Sequence, residues 1–260
     1  LKSLERELGA KLIERHQSQA ELTEVGARLL PRAREMLGLS ETMRQEAADV
    51  SGLRLGSLRI GSFGPTSSLR LLPRILERYH SDYPGIEIRV DEGNDQEVMQ
   101  WIQERRIDVG FVVLPDEHFE TYPLVEDQIV ALIPRGNALA SKNSVSLEEL
   151  CDDPFIMTEA GSAQLINQLF ATVSKSPNIR YRYSQVMSTI AMVARGDGIA
   201  LVAELVLPAD DERSGYVVKP LHPASKRTVG LALHNARQAS PAAQAFIQTA
   251  VKLSKKGQLV

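Results

Sequence analysis

Cysteine is almost missing from this chain: Cys151 is the only one in 260 residues. A single thiol excludes an internal disulfide and any metal site built from several cysteines, which fits a reducing compartment. Cys151 sits in LEELCDDPF without a basic neighbour in sequence to favour its thiolate, so a structural thiol is expected rather than a redox sensor. Long apolar runs are missing as well. No stretch of 18 apolar residues and no signal-peptide core can be read, so nothing marks the chain for a membrane or for export, and a cytoplasmic location is expected. Net charge is small, with 30 Lys and Arg against 33 Asp and Glu, and gives no global steering toward nucleic acid.

Enzyme motifs are also missing. The five histidines, His16, His80, His118, His222 and His234, show neither an i, i+4 pair nor metal-ligand spacing. G-x-S-x-G elbows, Walker loops and H-E-x-x-H do not occur. Gly196-Asp197-Gly198 resembles part of a dinucleotide loop, but it follows a predicted helix and precedes a strand, the reverse of the order that sets pyrophosphate on a helix N-terminus. It reads as a helix stop. No metal, no cofactor and no catalytic function are expected.

What is present begins at the first residues. Leu1, Leu4 and Leu8 have helical spacing, and Gly9 stands where a left-handed stop is cheapest. A strand over Lys11–Arg15 and a polar tip at His16–Glu21 follow. Thr23 is then placed to cap a new helix. Helix, small β wing and long helix is an arrangement of winged DNA-binding domains. The residues resemble the LysR-type transcriptional regulators, whose pattern runs LE-x-x-LG-x-x-LF-x-R-x-x-R and then LT-x-AG-x-x-L. Leu4, Glu5, Leu8, Gly9, Leu12, Ile13, Arg15, Leu22, Thr23, Gly26 and Leu30 keep that register. Ile13 replaces the usual Phe, Val25 replaces Ala, and Ser18 replaces the second wing arginine.

The resemblance implies a winged helix-turn-helix remnant over 1–22, with its first helices absent and the chain a fragment. Lys2, Arg6 and Arg15 are the implied DNA contacts. Charge alone gives no such hint, since residues 1–56 hold nine Lys or Arg and nine Asp or Glu.

From 23 to 50, Leu29, Ala33, Met36, Ser40, Met43, Ala47 and Val50 step by four and three, the spacing of a coiled-coil seam. A dimerising linker helix is predicted there, kinked by Pro31. A hinge at 51–56 follows.

Strands then alternate with helices of ten to fourteen residues, which predicts βαβ crossovers and a parallel sheet. The elements divide into lobe I, 57–126 with 226–260, and lobe II, 127–225, joined by two crossing strands. This α/β, two-lobed fold is that of LysR effector domains, shared with periplasmic solute-binding proteins. GSLRIG at 56–61, YPGIEI at 83–88 and ARGDGIALV at 194–202 are similar to the family's text.

In such folds ligands bind beyond the carboxyl ends of the strands. Four strand-to-helix turns nominate Ser62, Thr66 and Ser67, then Asn94, then Ser162, then Ser188 and Thr189 as effector-binding residues. Each is also an ordinary helix-capping residue type. Trp101, with Val98, Ile102 and Arg105, reads as a core-facing helix stripe.

The expected function is a LysR-type regulator whose effector domain takes a small polar or anionic molecule. Operator DNA, the effector, a second copy as homodimer or homotetramer, and RNA polymerase are the implied partners. The rival is a free-standing solute-binding protein of the same fold.

Overall fold

The computed structural model describes residues 1–16, 19–49, 56–159, 163–208 and 215–260. The predicted hinge, apart from Gly56, lies outside the described residues, as do the wing tip at 17–18 and Ser162.

Helix α1 (Lys2–Leu8) ends at Gly9, whose φ of 65° is the left-handed stop. The wing is an antiparallel pair, β1 (Ile13–His16) and β2 (Gln19–Leu22). Most of the polar tip predicted at 16–21 is therefore strand. Glu5 staples helix to wing, its Oε1 accepting from the Leu12 amide at 2.8 Å and the Ile13 amide at 3.3 Å. These amides hold its carboxyl below the usual range.

Helix α2 (Glu24–Asp49) starts at Thr23, whose Oγ1 accepts from the Gly26 amide at 2.9 Å and donates to the Lys11 carbonyl at 2.7 Å. Gly26 is required by contact: a Cβ there would stand 2.0 Å from the Leu12 oxygen. The helix runs through Pro31 as one element.

The α/β part follows as β3 (Gly56–Phe63), a π-helical turn (Thr66–Leu71), α3 (Leu72–Asp82), β4 (Ile86–Gly93), α4 (Asp95–Gln103), β5 (Val109–Leu114) and β6 (Glu120–Pro134). Then come α5 (Leu147–Leu150), β7 (Pro154–Thr158), α6 (Ala163–Phe170), β8 (Asn178–Tyr183), α7 (Val186–Ala194), β9 (Ala200–Ala203), β10 (Tyr216–Leu233) and α8 (Pro241–Lys255). The main sheet has the order β4-β3-β5-β10-β6-β9, and β7 pairs with β8.

The predicted parallel pairing holds for β3 with β4 and β5 and for β7 with β8, and needs correcting at the crossing strands. There β10 is antiparallel to both β5 and β6, and β6 to β9. The cause is the length of the crossing strands, fifteen residues in β6 and eighteen in β10, which run past each other as one ribbon through both halves. Their polar stretches, such as Glu126–Gln128 and His222–Arg227, carry no alternating apolar signal, so only parts of each strand could be predicted.

Buried side chains gather on either side of the crossing. Phe63, Tyr79, Phe111 and Phe246 centre one core between β3, α3, β5 and α8. Tyr79 also donates its hydroxyl to the Ala242 carbonyl at 3.0 Å. Phe155 and Phe170, edge to face at 5.1 Å, centre a second core, and Ile156, Val193 and Val202 belong to a third.

Helix α4 ends at Gln103. Val98 and Ile102 do face the core, whereas Arg105 is beyond the helix end with φ 56° and leaves the stripe. The Arg106 guanidinium covers the half-buried Trp101 ring at 4.4 Å.

Candidate functional site

Where the crossing strands pass between the lobes, the π-helical turn after β3 faces the N-terminus of α7 and the short Glu204–Val206 helical turn. A small cavity of about 20 Å³ lies there, lined by Phe63, Thr66, Thr158, Val186, Val206 and Arg227 among others. Its polar core is an ion pair that the sequence did not suggest. Arg227 on β10 meets Asp127 on β6 at 2.7 Å, with side-chain exposures of 3% and 0%. Burying two charges is tolerated only with close geometry and further hydrogen bonds. Both conditions are met: Arg227 Nη2 donates to Thr66 Oγ1 at 3.0 Å, and Asp127 Oδ1 accepts from the Gln128 and Leu205 amides at 2.8 and 3.1 Å.

The network spans the lobes. Arg70, on the same π-helical turn as Thr66, donates across the cleft to the Leu205 carbonyl at 3.1 Å and to that of Leu207. Gln96 of α4 reaches Gln164 of α6 at 3.3 Å. A π-helical turn exposes backbone geometry that a regular helix hides and recurs at functional positions.

The predicted site residues separate by role. Thr66 lines the cavity. Ser62 and Ser67 are fully buried behind it, their hydroxyls 2.8 Å apart, and Ser67 donates to the Phe63 carbonyl at 2.7 Å. They shape the turn rather than face a ligand. Asn94 is exposed and occupied by capping, accepting from the Glu97 amide at 3.0 Å. Ser188 is half-buried in the first turn of α7; Thr189 is fully buried, and its Oγ1 has no hydrogen-bond partner among the described residues.

Beside Asn94, Asp95 has a buried Oδ1 without a partner among the described residues. Desolvation pushes its pKa up to about 6, although the Arg227 charge pulls the other way. Sequence reasoning missed Arg227, Asp127 and this role for Asp95. Arg227 and Asp127 are 100 residues apart in a strand pair, and spacing along a chain carries no signal for such a contact.

Across this geometry, the sequence model of the LysR substrate binding domain matches residues 51–254. The chain is also 30% identical to the uncharacterized HTH-type transcriptional regulator YvbU of Bacillus subtilis, over 97% of this chain and 87% of that protein. The chain belongs to the LysR family. Membership makes it a DNA-binding transcriptional regulator and sets aside the free-standing solute-binding protein.

Two solved structures agree with the LysR fold. Full-length OxyR from Pseudomonas aeruginosa, solved as a single-residue variant, aligns with a TM-score of 0.74 at 20% identity, over 98% of this chain and 86% of its own. The effector-binding domain of QuiR, solved with shikimate, aligns with a TM-score of 0.69 at 20% identity, over 78% of this chain and 98% of its own.

Among the remaining candidates, Lys2 and Arg6 are exposed on α1, one helical turn apart, and Arg15 lies in β1. Cys151 is buried, with its thiol donating to the Leu147 carbonyl at 3.2 Å and its pKa raised by burial. That is the setting of an unreactive thiol.

Proposed function

We propose that the cleft between the lobes is the sensory site of this LysR regulator, taking a small polar effector against Thr66, Ser188 and Thr189. The observation that carries this reading is the buried Asp127–Arg227–Thr66 network, which joins both lobes at the cavity. Arg227 is already neutralised by Asp127 at 2.7 Å, and Asp95 adds an acceptor nearby, so ligand hydroxyl or ammonium donors suit the site better than a dense anion. QuiR, which shares this fold, was solved with shikimate, a small polar molecule.

The protein works by binding rather than by catalysis, in the cytoplasm, with operator DNA as its second partner. Lys2, Arg6 and Arg15 supply phosphate contacts. Copies pair through α2, whose Met36 and Met43 are 72% and 69% exposed on the predicted seam, and dimers assemble further into tetramers. The effector must favour one arrangement of the lobes over another, since equal affinity for both would shift nothing. RNA polymerase is the partner through which activation would act.

A thermal-shift screen of the chain against hydroxy acids, polyols, amino acids and inorganic anions tests the reading, because a ligand held only by the folded cleft raises the melting temperature. The expected hit bears hydroxyl or amine donors and is lost in Thr66→Val and Ser188→Ala. A hit indifferent to both substitutions places the ligand elsewhere.

A further inference from the structure

Helix α4 touches two elements that a regulator must connect. Its N-terminal end is at the cleft: Asp95 lies in the field of Arg227, and Gln96 reaches α6 of lobe II at 3.3 Å. Just past its C-terminal end, Glu104 and Arg105 meet the linker helix α2. Arg34 Nη1 is 2.8 Å from Glu104, and Arg105 Nη2 is 3.2 Å from Glu35. Nine residues at a helical rise make a rigid span of about 13 Å between these ends.

The contact with α2 is built to fix position. Two consecutive residues of opposite sign on α2 face two of opposite sign on lobe I, so sliding the helix by one residue would set like charges together. Arg105 takes φ 56°, a left-handed conformation unusual for a residue with a Cβ, and from it reaches both Glu35 and Gln238. Three turns along α2, Gln45 is 1% exposed, donates to the Ser57 carbonyl at 3.0 Å and accepts from the Ala242 amide at 3.3 Å. Gly56 makes room for it, since a Cβ there would come within 2.9 Å of its side chain. Between the two attachments a cavity of about 310 Å³ separates α2 from lobe I, lined by Arg59, Thr42, Asp108 and His234 among others. The helix is pinned at two points rather than packed along its length, and its ion pairs are partly exposed and weak enough to release. The faces do not compete: Met36 and Met43 are on the side of α2 left open.

We propose that α4 is the rod that couples the cleft to the linker helix, with Arg34–Glu104 and Glu35–Arg105 as its output contact. The proposal rests on the cleft being the sensory site. A movement of lobe II against Gln96, or a change at Asp95, shifts α4 along its axis and loosens or tightens the hold on α2, which leads to the DNA-binding wing. Arg34, Glu35, Glu104 and Arg105 are positioning residues that touch neither effector nor DNA.

Hydrogen–deuterium exchange of the whole chain tests this without a ligand, so an empty effector screen leaves it intact. Arg34→Glu is expected to speed amide exchange over 34–45 roughly tenfold, and the swap Arg34→Glu with Glu104→Arg to return it to within about twofold of the parent. These side chains lie outside the buried cores; an unchanged melting temperature, with Glu104→Gln as the milder variant, confirms that folding is kept. Asp95→Asn, at the far end of the rod, is expected to change exchange in the same α2 segment by at least about twofold in the parent and by nothing in the Arg34→Glu background. Failure of the swap to restore protection, or an α2 segment blind to Asp95→Asn in the parent, overturns the proposal.

Discussion

At the scale of single residues, the cleft holds an interaction that is costly to break. Replacing Asp127 by Ala leaves the Arg227 guanidinium buried with one acceptor fewer, and should destabilise the fold by about 3–5 kcal/mol in urea unfolding. Asp95 gives the opposite expectation. Its folded pKa of about 6 is above the ordinary carboxylate value of 3.8, so between those two pH values the folded state binds the extra proton. Stability therefore falls as pH rises through that window, and at neutral pH the ionised side chain costs about 3 kcal/mol at most. Asp95→Asn should raise the urea midpoint at pH 7.5 and leave it nearly unchanged at pH 4. A midpoint insensitive to the substitution at both pH values would show that the carboxylate is hydrated. Thr66 was legible in the sequence because turn hydroxyls after a strand announce themselves by type and place. Arg227 was not, because it sits within a polar stretch of a strand whose partner is a hundred residues away.

At the scale of elements, local signals carried furthest. Gly9, Thr23 and the Leu spacing of α1 predicted a helix stop, a cap and a short helix that the structure contains. Gly26→Ala should separate the wing from α2, since the added carbon would stand 2.0 Å from the Leu12 oxygen. Faster proteolysis within residues 9–24, with the melting temperature of the effector domain unchanged, is the expected result. Elements whose polar segments lie inside a ribbon were read less well. The parallel pairing inferred from βα alternation holds for β3 with β4 and β5 and for β7 with β8, and fails at the crossing strands β6 and β10, whose polar stretches give no strand signal. The start of the helix after β3 is a π-helical turn, and the serines expected to cap it are spent on each other. Periodicity could not report that, because a π-turn differs from an α-turn by one residue in six.

At the scale of the whole molecule, α2 presents two different faces. One carries Arg34, Glu35 and Gln45 toward lobe I; the other leaves Met36 and Met43 exposed, the face proposed to pair with a second copy. Met36→Glu with Met43→Glu should at least halve the sedimenting mass at micromolar concentration, because apolar contacts between paired copies become like-charge repulsions. An unchanged mass would place the dimer contact on another surface.

The cleft around Thr66 and Arg227 is the proposed site of the signal. A crystal structure of the chain with the strongest thermal-shift ligand tests it most directly. That ligand is expected between the π-helical turn and α7, within hydrogen-bonding distance of Thr66, with the Asp127–Arg227 pair intact. A ligand bound outside the lobes, or one that displaces Asp127 from Arg227, would contradict it.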